Sequence, residues 1–337
     1  MNSRDEKATL PCGFEDPGIP EIEIENIGAC ALCRGRAFGE FASGFDYELR
    51  TCRNKWTFRE CASCSHVQLD PRPAPATLGT IYPAHYYSYN MDKQVSAFAL
   101  KGKEFLDRLK FSSILVSLGR KPLAFVDVGC GDGRYLRLLE RIHGLPRNRL
   151  YGLELSRTTI ERLRESGYQA YCERVETCEA IPAGSIDLVT MFHVIEHVAD
   201  PAIVARKVAE WLAPGGVFAL ETPNLNALDA RLFKASYWGG YHFPRHWHLF
   251  REATLTALLQ DAGLEVVAMR YQTGHSFWMY SMHHFLCYRL GLEWLSRWFD
   301  PLRGLPFLFA FTGFDKLRAA LGFRTSAVLA IARKPAA

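Results

Sequence analysis

The chain has 337 residues, 48% hydrophobic and 23% charged, so it can bury a core and is not a disordered segment. Forty basic and thirty-six acidic residues leave a formal net charge of +4, too balanced for a protein that coats nucleic acid. The longest uncharged apolar runs, such as residues 304–314, are shorter than the ~20 residues of a membrane-spanning helix. The first residues lack the apolar core of a secretory signal, so we expect a cytoplasmic protein of mixed class.

The first predicted element is a small zinc-binding module over residues 1–90. Two C-x-x-C pairs, separated by a strand-rich segment, provide the predicted metal ligands Cys30, Cys33, Cys61 and Cys64. Each pair directs two thiolates at one point, and four thiolates leave no open coordination position, so the zinc is expected to be structural. The alternatives are four buried free thiols or a redox C-x-x-C, which needs only one pair. Two further cysteines are substitute ligands, Cys12 and Cys52.

A proline-rich connector follows the module over residues 67–89. It contains four tyrosines that either line a substrate pocket or pack the module onto the next domain. These are Tyr82, Tyr86, Tyr87 and Tyr89.

From about residue 100 onwards, apolar strands alternate with amphipathic helices, and we assign residues 91–337 to one α/β domain. The predicted strands are 123–128, 150–155, 169–175, 186–192, 217–222, 264–271 and 326–333. The predicted helices are 133–142, 158–165, 201–212 and 252–262. This alternation predicts a parallel sheet with helices on both faces, and a ligand beyond the carboxyl ends of the strands where the strand order reverses.

A glycine-rich loop, residues 127–133, follows the first strand of this domain. Its glycines permit a tight turn and a close approach to a ligand at the N-terminus of the next helix. The spacing is G-x-G-x-G, whereas loops that bind a pyrophosphate have G-x-G-x-x-G. Asp127 is placed to receive a ligand ammonium, and Glu154, an acid roughly 20 residues further on, is placed to bind ribose hydroxyls. The combination indicates S-adenosylmethionine as the cofactor.

Residues 124–271 resemble the class I S-adenosylmethionine-dependent methyltransferases in this loop, in Glu154 and in the segment 185–198. The resemblance implies a Rossmann-like seven-stranded sheet. It also implies these cofactor-binding residues: Asp127, Gly129, Cys130, Gly131, Gly133, Glu154, Leu155, Cys178, Phe192 and His193. In this family an acid in the loop after the third strand contacts adenine, and here the candidates are the Cys178 backbone or Glu179.

A narrower resemblance covers the whole chain. The run C-x-x-C-x-x-V-Q-L-x-P-x-P, followed by I-Y-P-x-x-Y-Y, is similar to zinc-containing methyltransferases that include deoxysugar C-methyltransferases. In that group a histidine in the loop after the fifth strand is the general base, which implies His246 here. Those enzymes carry an acid just before this histidine, whereas this chain has Arg245, so acceptors other than sugars stay open.

Three histidines lie in that loop, His242, His246 and His248. An imidazole at the ligand end of the sheet takes a proton from a hydroxyl or an acidic C–H as the methyl group arrives. The alternative is that these histidines only form hydrogen bonds within the loop.

A second cluster, His193-Val-Ile-Glu196-His197, follows the fourth strand. It matches the H-x-x-E-H signature of zinc proteases, but it follows a strand instead of opening a long helix, which argues against a protease. Ubiquinone-biosynthesis O-methyltransferases have a similar Glu-x-x-Glu-His segment linked to a divalent metal. The resemblance implies Glu196 and His197 as catalytic residues, with a divalent metal at His193, Glu196 and His197. Alternatively, the turn caps the next helix and forms a wall of the cofactor pocket.

An aromatic-rich insertion, residues 273–325, separates the last two strands and is predicted to be α-helical. Residues 277–314 hold 12 of the chain's 43 aromatic residues and only five charged ones. The apolar faces are expected to pack against the domain, a second subunit, a hydrophobic substrate or the inner face of a membrane. Three arginines favour the alternative in which the insertion faces a membrane with anionic lipids: Arg289, Arg297 and Arg303.

The sequence therefore predicts S-adenosylmethionine-dependent methylation, on oxygen or carbon, of a small apolar or lipid-like acceptor. No nucleic-acid partner is expected, because the fourth strand lacks the Asn/Asp-Pro-Pro-Tyr segment typical of base amino-group methylation. The second hypothesis is a zinc-ribbon binding module whose methyltransferase-like domain senses the cofactor without catalysis. Turnover of S-adenosylmethionine distinguishes the two.

Overall fold

The computed structural model describes residues 10–11, 13–83, 97–301 and 304–336. Several residues singled out in the sequence lie outside the described residues: Cys12, Tyr86, Tyr87, Tyr89 and Arg303. The strands are β1 Ile24–Glu25, β2 Phe38–Gly44, β3 Trp56–Cys61, β4 Val67–Leu69, β5 Arg72–Pro73, β6 Phe125–Val128, β7 Leu150–Leu153, β8 Gln169–Tyr171, β9 Ile186–Phe192, β10 Leu212–Pro223, β11 His248–Leu249, β12 Glu265–Gln272 and β13 Ala327–Arg333. The helices are α1 Leu78–Ile81, α2 Ala97–Leu118, α3 Arg134–His143, α4 Arg157–Glu165, α5 Pro201–Trp211, α6 Leu228–Leu232, α7 Glu252–Asp261, α8 His275–His284, α9 Glu293–Ser296 and α10 Leu305–Ala320.

The larger sheet has seven strands in the order β8-β7-β6-β9-β10-β13-β12. Its strands run parallel except β13, which is antiparallel to both of its neighbours. The parallel arrangement predicted from the alternation therefore holds for every strand except β13, and the seven-stranded sheet agrees with the Rossmann-like prediction. The helical insertion returns the chain to the sheet at the end where β12 finished, so β13 must run in the opposite direction.

The strand order reverses between β6 and β9, because the chain adds β7 and β8 on one side of β6 and then crosses to the other. Asp127 pairs in register with Thr190, and Val128 pairs with Met191, so the two strands end side by side. The crevice beyond the carboxyl ends of these strands is where an open α/β sheet binds its ligand.

Alternate residues of the strands pack against helices on opposite faces of the sheet. Phe125 and Leu188 belong to a core cluster that includes side chains of α2, α3 and α4. Val126 and Val189 belong to a second cluster that includes side chains of α5 and α7. The helices on both faces therefore agree with the Rossmann-like prediction.

The zinc-binding module contributes three strands to a smaller sheet of order β11-β4-β3-β2. The fourth strand, β11, comes from the loop after β10, and His248 and Leu249 pair with Gln68 and Val67. A shared core joins Trp56 of the module to Trp238 of that loop. The module and this loop of the α/β domain therefore share one core, and the boundary at residue 90 stays a prediction.

The insertion between β12 and β13 is helical, with α8, α9 and α10 as its main elements. Helix α10 packs on α8, where the rings of Trp278 and Phe311 stack 5.6 Å apart with an interplanar angle of 8°. Across the described ranges, we find no helix with both the length and the apolarity that a membrane span requires.

Candidate active site

The four predicted zinc ligands lie together at one end of the smaller sheet. The Sγ atoms of Cys30 and Cys64 are 3.5 Å apart, as are those of Cys33 and Cys61, and all four Sγ atoms lie within 4.8 Å of one another. Zn–S bonds of about 2.3 Å in a tetrahedron place the sulfur atoms about 3.8 Å apart. The spacing therefore fits a structural zinc ion with four thiolate ligands.

The two halves of this cysteine cluster have the same backbone geometry. The Arg34 amide donates to the Cys30 carbonyl (3.0 Å), and the Ser65 amide donates to the Cys61 carbonyl (2.9 Å). Arg34 and Ser65 both adopt left-handed backbone angles, with φ of 63° and 59°. Each turn thus closes immediately after its second cysteine and directs both thiolates to the same side.

We expect purified protein to contain about one zinc ion per chain, and Cys61→Ser to lose it, because three thiolates leave the tetrahedral site incomplete. The smaller sheet should unfold at a lower temperature in this variant. Elemental analysis and thermal denaturation measure the two effects. Cys172→Ser, outside the cluster, should keep its zinc; a zinc-free wild-type protein that is fully folded would contradict the assignment.

Asp127 is the last residue but one of β6, beside the crevice, and is 2% exposed. The Thr190 hydroxyl donates to Asp127 Oδ1 (2.7 Å), whereas Oδ2 has no hydrogen-bond partner among the described residues. Burial raises the pKa of Asp127 to about 7 despite the Thr190 hydrogen bond, and the nearby carboxylates of Glu154 and Asp132 raise it further. A buried carboxylate with one unused oxygen is suited to a cationic partner such as an ammonium.

The glycine loop leaves no room for side chains at two of its positions. Gly129 and Gly133 have φ of 70° and 83°, and a Cβ at Gly129 would lie 2.4 Å from Val194 Cγ2. The amides of Gly129 and Cys130 both donate to the Leu153 carbonyl, which fixes the loop at the end of β7. The loop is therefore a preformed cradle for a closely approaching ligand.

Glu154 follows β7 on the other side of this cradle. Its carboxylate accepts hydrogen bonds from the amides of Gly131 (3.3 Å), Leu155 (2.7 Å) and Ser156 (3.3 Å). Leu155 beside it is 61% exposed, an apolar surface that a ligand ring would cover. The arrangement suits ribose hydroxyls and an adjoining base.

The loop after β8 was predicted to contact adenine. The Glu179 carboxylate forms an ion pair with Lys207 and is 82% exposed. The Cys178 side chain is fully buried in the core. The contact with adenine, by the backbone of Cys178 or by Glu179, stays a prediction.

His193, directly after β9, lies between two carboxylates. Its Nδ1 is 3.3 Å from Glu196 Oε1, and its Nε2 is 3.3 Å from Glu221 Oε1. Desolvation opposes protonation, but these carboxylates raise the pKa of His193 to about 9. Glu221 is also 2.6 Å from Lys110 Nζ, which lies 4.6 Å from the centre of the Phe192 ring. Both ring nitrogens of His193 face carboxylates, and the residues close enough to share one metal ion are Glu196, His197 and His246. His193 as a metal ligand stays a prediction.

The turn after β9 does not cap the following helix. Asp200 is the N-cap of α5, and its carboxylate accepts hydrogen bonds from the amides of Ala202 (2.9 Å) and Ile203 (3.1 Å). The capping alternative for residues 193–197 is therefore wrong, and their side chains are available for another role.

The three predicted catalytic residues converge next to this turn. Glu196 is fully buried, and Thr222 donates to its Oε2 (3.1 Å). His246 Nε2 is 4.0 Å from Glu196 Oε1, and the rings of His246 and His197 are 4.6 Å apart. One ligand atom from each of the three residues lies within 4.8 Å of the other two.

Backbone carbonyls fix the proton positions on both imidazoles. His246 Nδ1 donates to the Gly240 carbonyl (2.8 Å), and His197 Nδ1 donates to the Arg245 carbonyl (3.0 Å). A carbonyl only accepts, so each neutral ring keeps its proton on Nδ1 and leaves Nε2 as an acceptor. Burial lowers the pKa of His197 to about 4 and that of His246 well below its usual value. The cluster can accept a proton or coordinate a cation.

The other two loop histidines have partners in the zinc-binding module. His242 Nδ1 is 2.8 Å from Glu48 Oε2, and His248 Nδ1 is 3.1 Å from His66 Nε2. Of the connector tyrosines, Tyr82 lies at the cluster, with its hydroxyl 3.2 Å from His197 Nδ1.

One important contact was not predicted, the ion pair between Arg245 and Asp46. Both side chains are fully buried, and two Nη–Oδ distances of 2.9 Å join them. Arg245 also donates to the Ile81 carbonyl (2.8 Å). No local pattern could reveal this pair, because 199 positions separate its members.

Comparisons with known proteins identify the family of the chain. A family model described as a methyltransferase domain matches residues 85–269, more than half of the chain. The ubiquinone biosynthesis O-methyltransferase of Xanthomonas axonopodis pv. citri is 33% identical over 154 residues, which cover 42% of this chain and 62% of that protein. The enzyme of the same name from Chelativorans sp. is 34% identical over 175 residues, which cover 45% of this chain and 66% of that protein.

This chain therefore spans about two thirds of the length of these relatives. Among solved structures, an S-adenosylmethionine-dependent methyltransferase from Archaeoglobus fulgidus aligns with a TM-score of 0.44 and 14% identity, over 71% of this chain and 100% of that chain. The family match, the glycine loop and the acid after β7 lead to one conclusion: the chain belongs to the class I S-adenosylmethionine-dependent methyltransferases.

Proposed function

We propose that this protein methylates an acidic hydroxyl, or the carbon activated by it, on a small apolar acceptor, with His246 as the general base. The observation that supports this function is the convergence of His246 Nε2, His197 and Glu196 Oε1 beyond β9. Strand β9 adjoins β6, which carries the cofactor cradle. The names of the ubiquinone biosynthesis O-methyltransferases favour oxygen as the methylated atom.

S-adenosylmethionine, when bound, supplies a methyl group that is already activated by the positive sulfur. The acceptor oxygen then bonds to the methyl carbon, and the electron pair of the broken carbon–sulfur bond remains on sulfur. The hydroxyl proton passes to His246 Nε2, and the Glu196 carboxylate stabilises the resulting imidazolium. Because the pKa of His246 is low, its partner should be an acidic hydroxyl such as a phenol or an enol.

Aromatic side chains around the cluster support an apolar acceptor. The Phe277 ring, in the first turn of α8, lies 6.1 Å from the His193 ring and 6.3 Å from Trp238. Phe192 and Tyr135 form an edge-to-face pair, 5.4 Å apart, on the side of the glycine loop. Such walls exclude water and stack well on a planar ring.

Incubation with methyl-labelled S-adenosylmethionine and fractionated apolar extracts tests the proposal, with the product identified by mass spectrometry. We expect one labelled product in which the methyl group is on an oxygen or on the adjoining carbon. Cofactor binding without turnover in any fraction would favour the cofactor-sensing hypothesis instead.

A second candidate role of the same cluster is to hold a divalent cation. Two imidazole nitrogens and one carboxylate oxygen form a common ligand set, and metal-bound histidines usually donate their other N–H to a carbonyl or carboxylate. His197 and His246 both do so here. The cation would lower the pKa of an acceptor hydroxyl, and His246 would then be a ligand instead of a base.

Titration of zinc-loaded protein with Co²⁺, followed by optical absorption, distinguishes the two roles. A cation site predicts one additional Co²⁺ per chain, lost in Glu196→Gln and retained in Glu161→Gln on the surface of α4. If wild-type protein binds no additional Co²⁺, the cation role is rejected and the base role stands.

We expect cofactor affinity to increase with pH because of Asp127. Its pKa of about 7 means that the carboxyl group is protonated in acid, and a bound ammonium must displace this proton. Affinity should fall up to roughly tenfold per pH unit below 7. Calorimetric binding experiments between pH 6 and about 8 measure the change. Asp127→Asn is the control, because its pH profile shows the effect of protonation of the cofactor alone. Identical profiles in the two proteins would contradict the role of Asp127.

A further inference from the structure

The helical insertion exposes an unusual number of apolar side chains. Of 17 exposed large hydrophobic residues in the described chain, eight lie between residues 290 and 323. Their exposed fractions are 50% for Leu290, 67% for Trp294, 60% for Trp298, 70% for Phe309, 42% for Phe314, 60% for Leu317, 64% for Leu321 and 56% for Phe323. All the exposed tryptophans and phenylalanines in that set are in this segment, so the exposure is specific to it.

These side chains lie opposite the packing faces of their helices. Trp294 and Trp298 are four positions apart, and Phe309, Leu317 and Leu321 fall within about 120° of one another around a helix. The other side of α10 packs inwards, where Phe307 lies 4.6 Å from Phe299 and Phe311 stacks on Trp278. We define the outer face as Trp294, Trp298, Phe309, Leu317 and Leu321.

The exposed charges around the outer face are mainly positive. Arg289, Arg297 and Lys316 are exposed and form no ion pair among the described residues. Glu293 is the one exposed acid between residues 289 and 324 in the described ranges, because Asp300 is half-buried and Asp315 is fully buried. Asp315 accepts hydrogen bonds from the Gly274 amide and the Trp278 indole instead of balancing these cations.

We propose that the outer face docks onto the surface of an anionic membrane. Helices that lie in the headgroup region of a membrane typically combine tryptophan and phenylalanine with neighbouring arginine and lysine. Anionic headgroups neutralise the cations. A second copy of the chain fits less well, because a two-fold contact would bring these cations together with little negative charge to offset them.

Packing contacts connect the outer face to the candidate active site. Helix α10 rests on α8, and the first turn of α8 contains Phe277, which contacts His193. Docking would therefore hold the helices that carry this part of the aromatic wall at the bilayer surface, where apolar molecules concentrate. Membrane docking itself is independent of whether the acceptor proposal is correct.

Flotation with phosphatidylglycerol–phosphatidylcholine vesicles tests the proposal on the full chain. We expect the wild-type protein to float with these vesicles, to float less at high salt, and to remain unbound with pure phosphatidylcholine. Its tryptophan emission should shift to shorter wavelength on binding. The triple variant Trp294→Glu, Trp298→Glu, Phe309→Glu should lose at least about tenfold in vesicle affinity.

A matched control places the same charges on exposed apolar positions elsewhere: Val116→Glu, Leu123→Glu and Leu232→Glu. This control should float like the wild-type protein. Both variants should bind S-adenosylhomocysteine like the wild-type protein, which shows that they are folded and separates this test from that of methyl transfer. Equal flotation of the outer-face and control variants would overturn the proposal. A second pair of results would also overturn the proposal. In it, sedimentation velocity shows a wild-type dimer that the outer-face variant no longer forms, and neither protein binds vesicles.

Discussion

Replacing His246 by alanine should lower methyl-transfer turnover by roughly 10²–10⁴-fold, the usual contribution of a general base. His246 Nε2 has no proton in the neutral ring, because Nδ1 donates to the Gly240 carbonyl. Cofactor affinity should be unchanged, because the cradle at Asp127 and Glu154 is formed by other elements. Steady-state turnover with the acceptor and calorimetric titration of S-adenosylhomocysteine measure the two quantities separately.

Two further variants separate the chemistry of His246 from its structural contribution. His246→Asn keeps an amide donor for the Gly240 carbonyl but removes the acceptor at Nε2, so it should be as inactive as the alanine variant. His143→Ala, at the end of α3, should retain wild-type turnover. Wild-type activity in the asparagine variant would show that His246 has only a structural role.

The parts of the fold that local patterns determine were predicted well. Strand β9 was predicted at 186–192 and lies there, because a continuous apolar run with clear ends defines a buried strand. The cysteine cluster and the glycine loop were also found from spacing, because each is built mainly within short segments. Strand β10 begins at Leu212 instead of residue 217, because Leu212 pairs with Ile186 before an irregularity in the register.

The contacts that unite the site come from distant parts of the chain, and no periodicity in the sequence encodes them. Pairing of β11 with β4 brings the loop after β10 against the zinc-binding module. Glu221 and Lys110, which position His193, are 111 positions apart. The sequence singled out His246, His197 and Glu196 as separate candidates, and tertiary packing brings them together.

Arg245 shows how the zinc-binding module contributes to the site. Its carbonyl accepts the proton of His197 Nδ1, and its guanidinium is held by Asp46 of the module. In the sequence alone, Arg245 is a departure from a motif in which similar enzymes carry an acid. In the structure Arg245 anchors the loop that contains His246 to the module that contains the cysteine cluster.

Replacing Asp46 by alanine should lower the free energy of unfolding by about 3–5 kcal/mol, because the Arg245 guanidinium then stays buried without its counter-charge. Asp46 also accepts hydrogen bonds from the Thr51 amide (2.8 Å) and hydroxyl (2.6 Å), which would be lost as well. Urea denaturation measures the effect. Asp16→Ala, an exposed acid of the same module, should change the free energy of unfolding little.

The double variant Asp46→Ala, Arg245→Leu provides the decisive comparison. Removing both charges leaves no unpaired ion, so the double variant should be more stable than Asp46→Ala alone.

Burial opposes ionisation of Asp46, but Arg245 and Thr51 hold its pKa below the usual value. The stabilisation by the pair is therefore fully present above the ordinary carboxyl pKa and is lost as the pH falls through the lowered one. Wild-type protein and Asp46→Ala should consequently approach each other in stability in strong acid. A double variant no more stable than Asp46→Ala, with the same difference between Asp46→Ala and the wild-type protein at every pH, would show that the two charges do not act as a pair.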